Sequence, residues 1–179
     1  LTANTTASYV TALGGNALKA NTTGSGNTAV GTNAMESNTT GASNTVMGWN
    51  ALVTNTTGSN NLAMGVNTMF YNTTGYKNVA LGDYGLWSNT EGMENVAISG
   101  NSSLYKNTTG SQNIAIGAAS LYNNETGNYN IAIGRSSLYS NTASNNVGIG
   151  HESLRSNTTG NNNTAFGYRG LYSNTTGSN

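Results

Sequence analysis

The sequence predicts an all-β protein, a parallel β-solenoid or β-roll of about ten 17-residue coils. Three observations carry that expectation. A polar phrase marked by glycine returns at near-constant spacing, as NTTGASNTVMG over 38–48, NTTGSNNLAMG over 55–65 and NTTGNNNTAFG over 157–167. Large apolar residues return to the same places within each copy. Short alternating segments such as Asn113-Ile114-Ala115-Ile116-Gly117 lie between clusters of turn formers.

Taking the residue that follows each NTT as slot zero, coils start at Ala7, Gly24, Gly41, Gly58, Gly75, Gly92, Gly110, Gly127, Ala143 and Gly160. An eleventh is cut off at Gly177. Every step is 17 residues except the 18 after Gly92, where Ser99 intrudes, and the 16 after Gly127, where a Thr is missing. Residues 1–179 therefore read as a single repeat array. The opening LTANTTASYV has no initiator Met, basic stretch or apolar leader, so the expectation is a fragment of a longer or polymeric fibre.

Slot seven is Gly in all ten copies, among them Gly31, Gly48, Gly65, Gly117 and Gly134. Slot eleven is Leu or Met in all ten, from Leu18 and Met35 to Leu171, and slot fourteen is always Asn. Slot three is Asn in nine, Val10 being the exception.

Each element can be argued in order. Slots three to seven alternate with period two, so Ile114 and Ile116 share one strand face while Ala115 and Gly117 share the other. The expected arrangement puts the large face inside the coil and the small face against a neighbouring chain. A second short strand is expected through slots ten to twelve, as in Ser120-Leu121-Tyr122. NTTG supplies turn chemistry, because Asn bonds its own backbone two residues on and Gly accepts positive φ. A helical reading fails, since Gly and Asn interrupt every copy and leave no 3.6-residue apolar stripe. With no proline, backbone pairing can run the whole length.

Three large apolar groups cannot offset the ordering of a 17-residue coil on its own, so stacking is compulsory. Stacked coils place equal slots about 4.8 Å apart, giving a rod of roughly 50 Å. Slot fourteen then forms an Asn amide ladder and slot eleven an apolar stack. A strand apolar on both faces is covered on both faces, and a homotrimeric fibre is the natural closed form.

The phrase NTAVGTNAMESNTTG over 27–41 resembles the NTAIG/NTTG repeat region of phage tail-fibre and bacterial surface proteins, found upstream of endosialidase-type chaperone domains. NIAIG, at 113–117 and 130–134, is similar to the strands of trimeric autotransporter adhesin heads. The second resemblance implies a left-handed, trimeric parallel β-roll with hydrophobic strands near the axis. The period of 17 departs from the shorter adhesin repeat, and this chain carries neither the chaperone domain nor a coiled-coil stalk.

Composition narrows the function classes. Charged residues are 7% with zero net charge, against roughly a quarter in typical domains. That balance gives no footprint for nucleic acid or an anionic membrane. There is no cysteine, and no apolar run reaches the ~18 residues of a transmembrane helix. The lone His151 sits in a variable slot. Glu36, Asp83, Glu91, Glu94, Glu125 and Glu152 form no recurrent carboxylate pair, and no base stands ready to activate a serine. No catalytic, cofactor-binding or metal site is expected, and the chain is read as a non-enzyme.

Two rows could carry function. Slot twelve reads Phe70, Trp87, Tyr105, Tyr122, Tyr139 and Tyr172, either a glycan-contacting surface or an aromatic ladder that zips coils together. The triplets at Asn4, Asn21, Asn38, Asn55, Asn72, Asn107, Asn157 and Asn174 fit the N-glycosylation rule, or serve as turns and ladder. The leading expectation is the structural shaft of an extracellular, cell-surface or virion fibre that supports attachment and partners itself, with a cell-surface glycan as a candidate ligand. The alternatives are a glycosylated self-assembling filament and a glycan- or ice-binding module.

Overall fold

A computed structural model describes residues 2–178. Ten strands, β1 (Thr11–Leu13), β2 (Thr28–Val30), β3 (Thr45–Met47), β4 (Leu62–Met64), β5 (Val79–Asp83), β6 (Val96–Asn101), β7 (Ile114–Ile116), β8 (Ile131–Ile133), β9 (Val147–Ile149) and β10 (Thr164–Phe166), stack in sequence order into one sheet. Each pairs with the next in parallel at equal slots, as in Ile114↔Ile131 and Ile116↔Ile133. The chain is a parallel β-solenoid, and no helix occurs among the described residues.

The expected second strand does not form among the described residues. Slots seven to fourteen form tandem turns, closed in the first coil by Ala17 N–H to Gly14 C=O, Lys19 N–H to Asn16 C=O and Asn21 N–H to Leu18 C=O. Slots nine and eleven both have positive φ, for example Asn16 at 59° and Leu18 at 50°. All ten slot-eleven Leu and Met residues are left-handed, with φ between 48° and 53°. Such a conformation costs about 1–2 kcal/mol per residue. Complete burial of the side chain, seen from Leu18 to Leu154, returns about 1.5–3 kcal/mol. Backbone bonds also run from coil to coil through the turns, as Leu18 N–H to Ala34 C=O and Asn33 N–H to Gly15 C=O.

The two strand faces are the reverse of the expectation. The small middle residue points inward: Ala29, Ala63, Ala80, Ala97, Ala115 and Ala132 are fully buried. Ile114 and Ile116 point outward. The coil is thin, and slot-eleven Leu or Met reaching across from the turns fills most of it, leaving room opposite for a small side chain, Ala in most coils and Val46 in the third.

Asparagine completes the interior. Slot fourteen forms the expected ladder, Asn38 Nδ2 donating to Asn21 Oδ1 at 2.7 Å and Asn55 Nδ2 to Asn38 Oδ1 at 2.7 Å. A second ladder stands beside it at slot three, where Asn44 Nδ2 donates to Asn27 Oδ1 at 3.1 Å and to Gly58 C=O at 3.0 Å. Asn27 Oδ1 also accepts the Asn44 backbone N–H at 2.9 Å. Only a short amide offers two donors and a two-lone-pair acceptor at this reach. The slot-zero glycines sit between the ladders, where a Cβ on Gly75 would lie 2.6 Å from Gly92 O and 2.7 Å from Asn89 Nδ2.

Both irregular steps are absorbed locally. In the long coil the register shifts between Leu81 and Asp83, and Gly100 bulges into open space. In the short coil Asn141 Nδ2 turns to Ala143 C=O at 2.8 Å, and Asn124 Oδ1 is left without a partner.

Candidate functional site

Slot twelve follows the buried slot eleven and emerges along one side of the solenoid. Its rings stack on one another: Trp87 on Tyr105 at 4.9 Å, Tyr105 on Tyr122 at 5.1 Å and Tyr122 on Tyr139 at 5.2 Å, all within 12° of parallel. Phe70 continues the row at 6.5 Å from Trp87, tilted by 33°. Arg155 does not break it, because its guanidinium lies 5.3 Å from the Tyr139 ring and 5.9 Å from that of Tyr172. At the other end of the row Lys19 pairs with Glu36 at 3.5 Å. Coil spacing matches ring stacking, so the inner rings spend their faces on each other and present only edges and hydroxyls. Burial pushes the Tyr105 phenol above its ordinary pKa, which keeps it a hydrogen-bond donor.

The outer sheet face is the second feature. Slots four and six line it with Leu62, Met64, Val79, Leu81, Ile98, Ile116, Ile133 and Ile149 in its central part. No charged residue occupies either slot in any coil. Ile116 is 36% exposed and Met47 48%. The period-two pattern predicts this apolar row but places it inside the coil, whereas the structure turns it outward.

The Asn-Thr-Thr triplets belong to the interior. Asn21, Asn38, Asn55, Asn72, Asn107 and Asn157 are fully buried; Asn21 Nδ2 donates to Gly24 C=O and the others donate along the ladder. That nitrogen is the atom an N-linked sugar would need, so these positions are ladder rungs in the folded chain. Asn4 and Asn174 lie in the outermost coils and are less enclosed. The first Thr of a triplet also serves the stack, as Thr39 Oγ1 donates to Thr56 C=O at 3.0 Å.

Slot-seven glycines are excluded from bearing a side chain by the next coil, not by another chain. Gly31, Gly48, Gly65, Gly117 and Gly134 have φ between 123° and 146°. A Cβ on Gly117 would lie 2.7 Å from Gly134 C and 2.9 Å from Gly134 O.

His151 stacks on Tyr168 at 5.5 Å. Beside it Arg169 bonds Glu152 at 2.7 Å and holds that carboxyl below its usual range. Glu94 is lowered likewise, by its hydrogen bond to Lys77 and then by that to Gln112. No helix among the described residues is long and apolar enough to cross a membrane.

Fold and surfaces together define a class: a parallel β-solenoid repeat protein with one apolar sheet face and one aromatic ladder. Comparison with family models, curated proteins and solved structures returns no match to this chain.

Proposed function

We propose that this chain is the shaft of a homo-oligomeric fibre, extracellular or on a virion, in which copies pack through their outer sheet faces and support attachment to a surface. One observation carries the reading: a charge-free apolar strip running the length of a ten-stranded sheet. Contiguous apolar surface of this kind marks an association site. The stacked strands make the strip flat and regular, which suits packing against an identical strip. Three such faces meeting on a common axis cover one another in a closed arrangement.

Light scattering and electron microscopy of the purified chain test the proposal. Elongated oligomers, trimeric by mass, are expected. Leu81→Lys with Ile116→Lys places two charges in the strip and is expected to yield monomers that keep a β-type circular dichroism spectrum. A wild-type chain that is monomeric at micromolar concentration would overturn the reading.

A further inference from the structure

Along the aromatic ladder, the coils of β6 to β8 differ from their neighbours. Their slots eight and nine hold Asn101-Ser102, Ala118-Ala119 and Arg135-Ser136, small side chains apart from the arginine. The same slots in the flanking coils hold Asp83-Tyr84 and His151-Glu152. The result is a trough of about 410 Å³ whose floor is these six residues and whose wall is Tyr122, Tyr139 and Arg155. A second depression of about 340 Å³ shares Asn101, Ser102 and Tyr122 and carries the trough on to Tyr84 and Tyr105. It runs parallel to the solenoid axis over three coil steps, roughly 15 Å.

Part of its polar lining is unspent, although Ser102 Oγ donates to Asn101 Oδ1. The hydroxyls of Tyr105, Tyr122 and Tyr139 make no hydrogen bond within the described residues. Arg135 is exposed and has no ion pair there. Arg155, pinned between two rings, donates Nη1 to Tyr172 Oη at 3.4 Å and pairs with Glu152 at 3.6 Å, its buried Nε having no hydrogen-bond partner. That carboxylate is already held by Arg169 at 2.7 Å. At the far end Asp83 accepts the Val66 N–H at 2.8 Å. The floor's backbone, by contrast, is used: Ala119 N–H bonds Asn101 C=O, Ser136 N–H bonds Ala118 C=O, and Glu152 N–H bonds Arg135 C=O. Main-chain partners for a peptide are few, chiefly the Ala118 and Arg135 N–H groups, while phenol hydroxyls, an apolar patch at Ala118 and Ala119, and the free Arg135 guanidinium beside Arg155 remain on offer.

We propose that this trough binds a linear carboxylated glycan, a chain of uronic acid residues lying along the axis. Carboxylates meet Arg135 and Arg155, ring hydroxyls meet the row of phenols and serines, and a sugar C–H face rests on the two alanines. Ring stacking of the usual kind is not used, because the tyrosine faces are occupied by each other. The trough is lined by slots eight, nine and twelve and the apolar strip by slots four and six, so this proposal does not depend on the fibre.

Calorimetric titration of the full chain with hexagalacturonate at low salt tests the proposal, with cellohexaose and hexaglutamate as comparisons. Binding of hexagalacturonate is expected, weakened by added salt, with cellohexaose inert and hexaglutamate weaker. Arg135→Gln is expected to lower affinity about tenfold, the loss of one charge-assisted hydrogen bond. Ala118→Trp is expected to abolish binding at unchanged melting temperature, since Trp49 already occupies slot eight in the coil of β3. Absence of binding at millimolar hexagalacturonate, equal affinity for cellohexaose, tighter binding of hexaglutamate, or affinity unchanged in both variants would each overturn it.

Discussion

Glycine at slot seven is required twice over, by a φ that other residues rarely adopt and by the carbonyl of the next coil. Gly117 has φ 125° and no room for a Cβ. Gly100, in the long coil, has neither restriction, for its Cβ would meet nothing within 4 Å. Gly117→Val is therefore expected to lower stability by about 2–5 kcal/mol, from backbone strain and overpacking together. Gly100→Ala should leave the thermal midpoint unchanged, and the pair can be compared by thermal denaturation. A second prediction at this scale concerns pH. The folded pKa values of Glu94 and Glu152 lie below their ordinary values. Their ion pairs therefore add stability that is present above the ordinary carboxylate pKa and lost as pH falls through the folded value. Melting temperature should drop on acidification from neutral pH into that window, and Glu152→Gln combined with Glu94→Gln should flatten the drop.

The coil's elements are a three-residue strand, a run of tandem turns and two asparagine ladders, and they were unequally visible in the sequence. Strand positions followed from period-two alternation, and the slot-fourteen ladder from ten asparagines in one slot. The slot-three ladder had the same signal in nine copies, which the turn chemistry of Asn masked. Left-handed Leu and Met had no signal at all, because neither residue favours that conformation and only burial makes it tolerable. Ladder energetics give the prediction here. Asn72→Ala removes the acceptor of Asn89 Nδ2 and the donor to Asn55 Oδ1. It leaves buried amide groups short of partners, an expected loss of about 1–3 kcal/mol in chemical denaturation.

At the scale of the whole molecule each strand contacts only its neighbours, in one register apart from the shift between Leu81 and Asp83. Deleting residues 58–74 removes one 17-residue coil and rejoins Asn55-Thr56-Thr57 to Gly75, restoring the NTTG phrase. The shortened chain is expected to fold with an unchanged circular dichroism spectrum, and X-ray scattering should show a rod shorter by about 4.8 Å. A chain that fails to fold would show that the coils are not interchangeable.

The sequence by itself determined the period, the rows of Gly, Asn and Leu or Met, and hence a stacked parallel β architecture. Those follow from local chemistry repeated in place: a slot that admits one residue type in every coil faces the same neighbour in every coil. It could not determine which strand face looks inward, because alternation is symmetric and either face satisfies it. Tertiary structure decided that. Leu and Met cross a narrow interior from the turn side and leave the strand space for a small side chain, so Ala, or Val46 in one coil, goes in and Ile stays out. The same decision drew the Asn-Thr-Thr amides into the core, spent the aromatic faces on one another, and left the apolar strip and the arginine-ended trough on the surface.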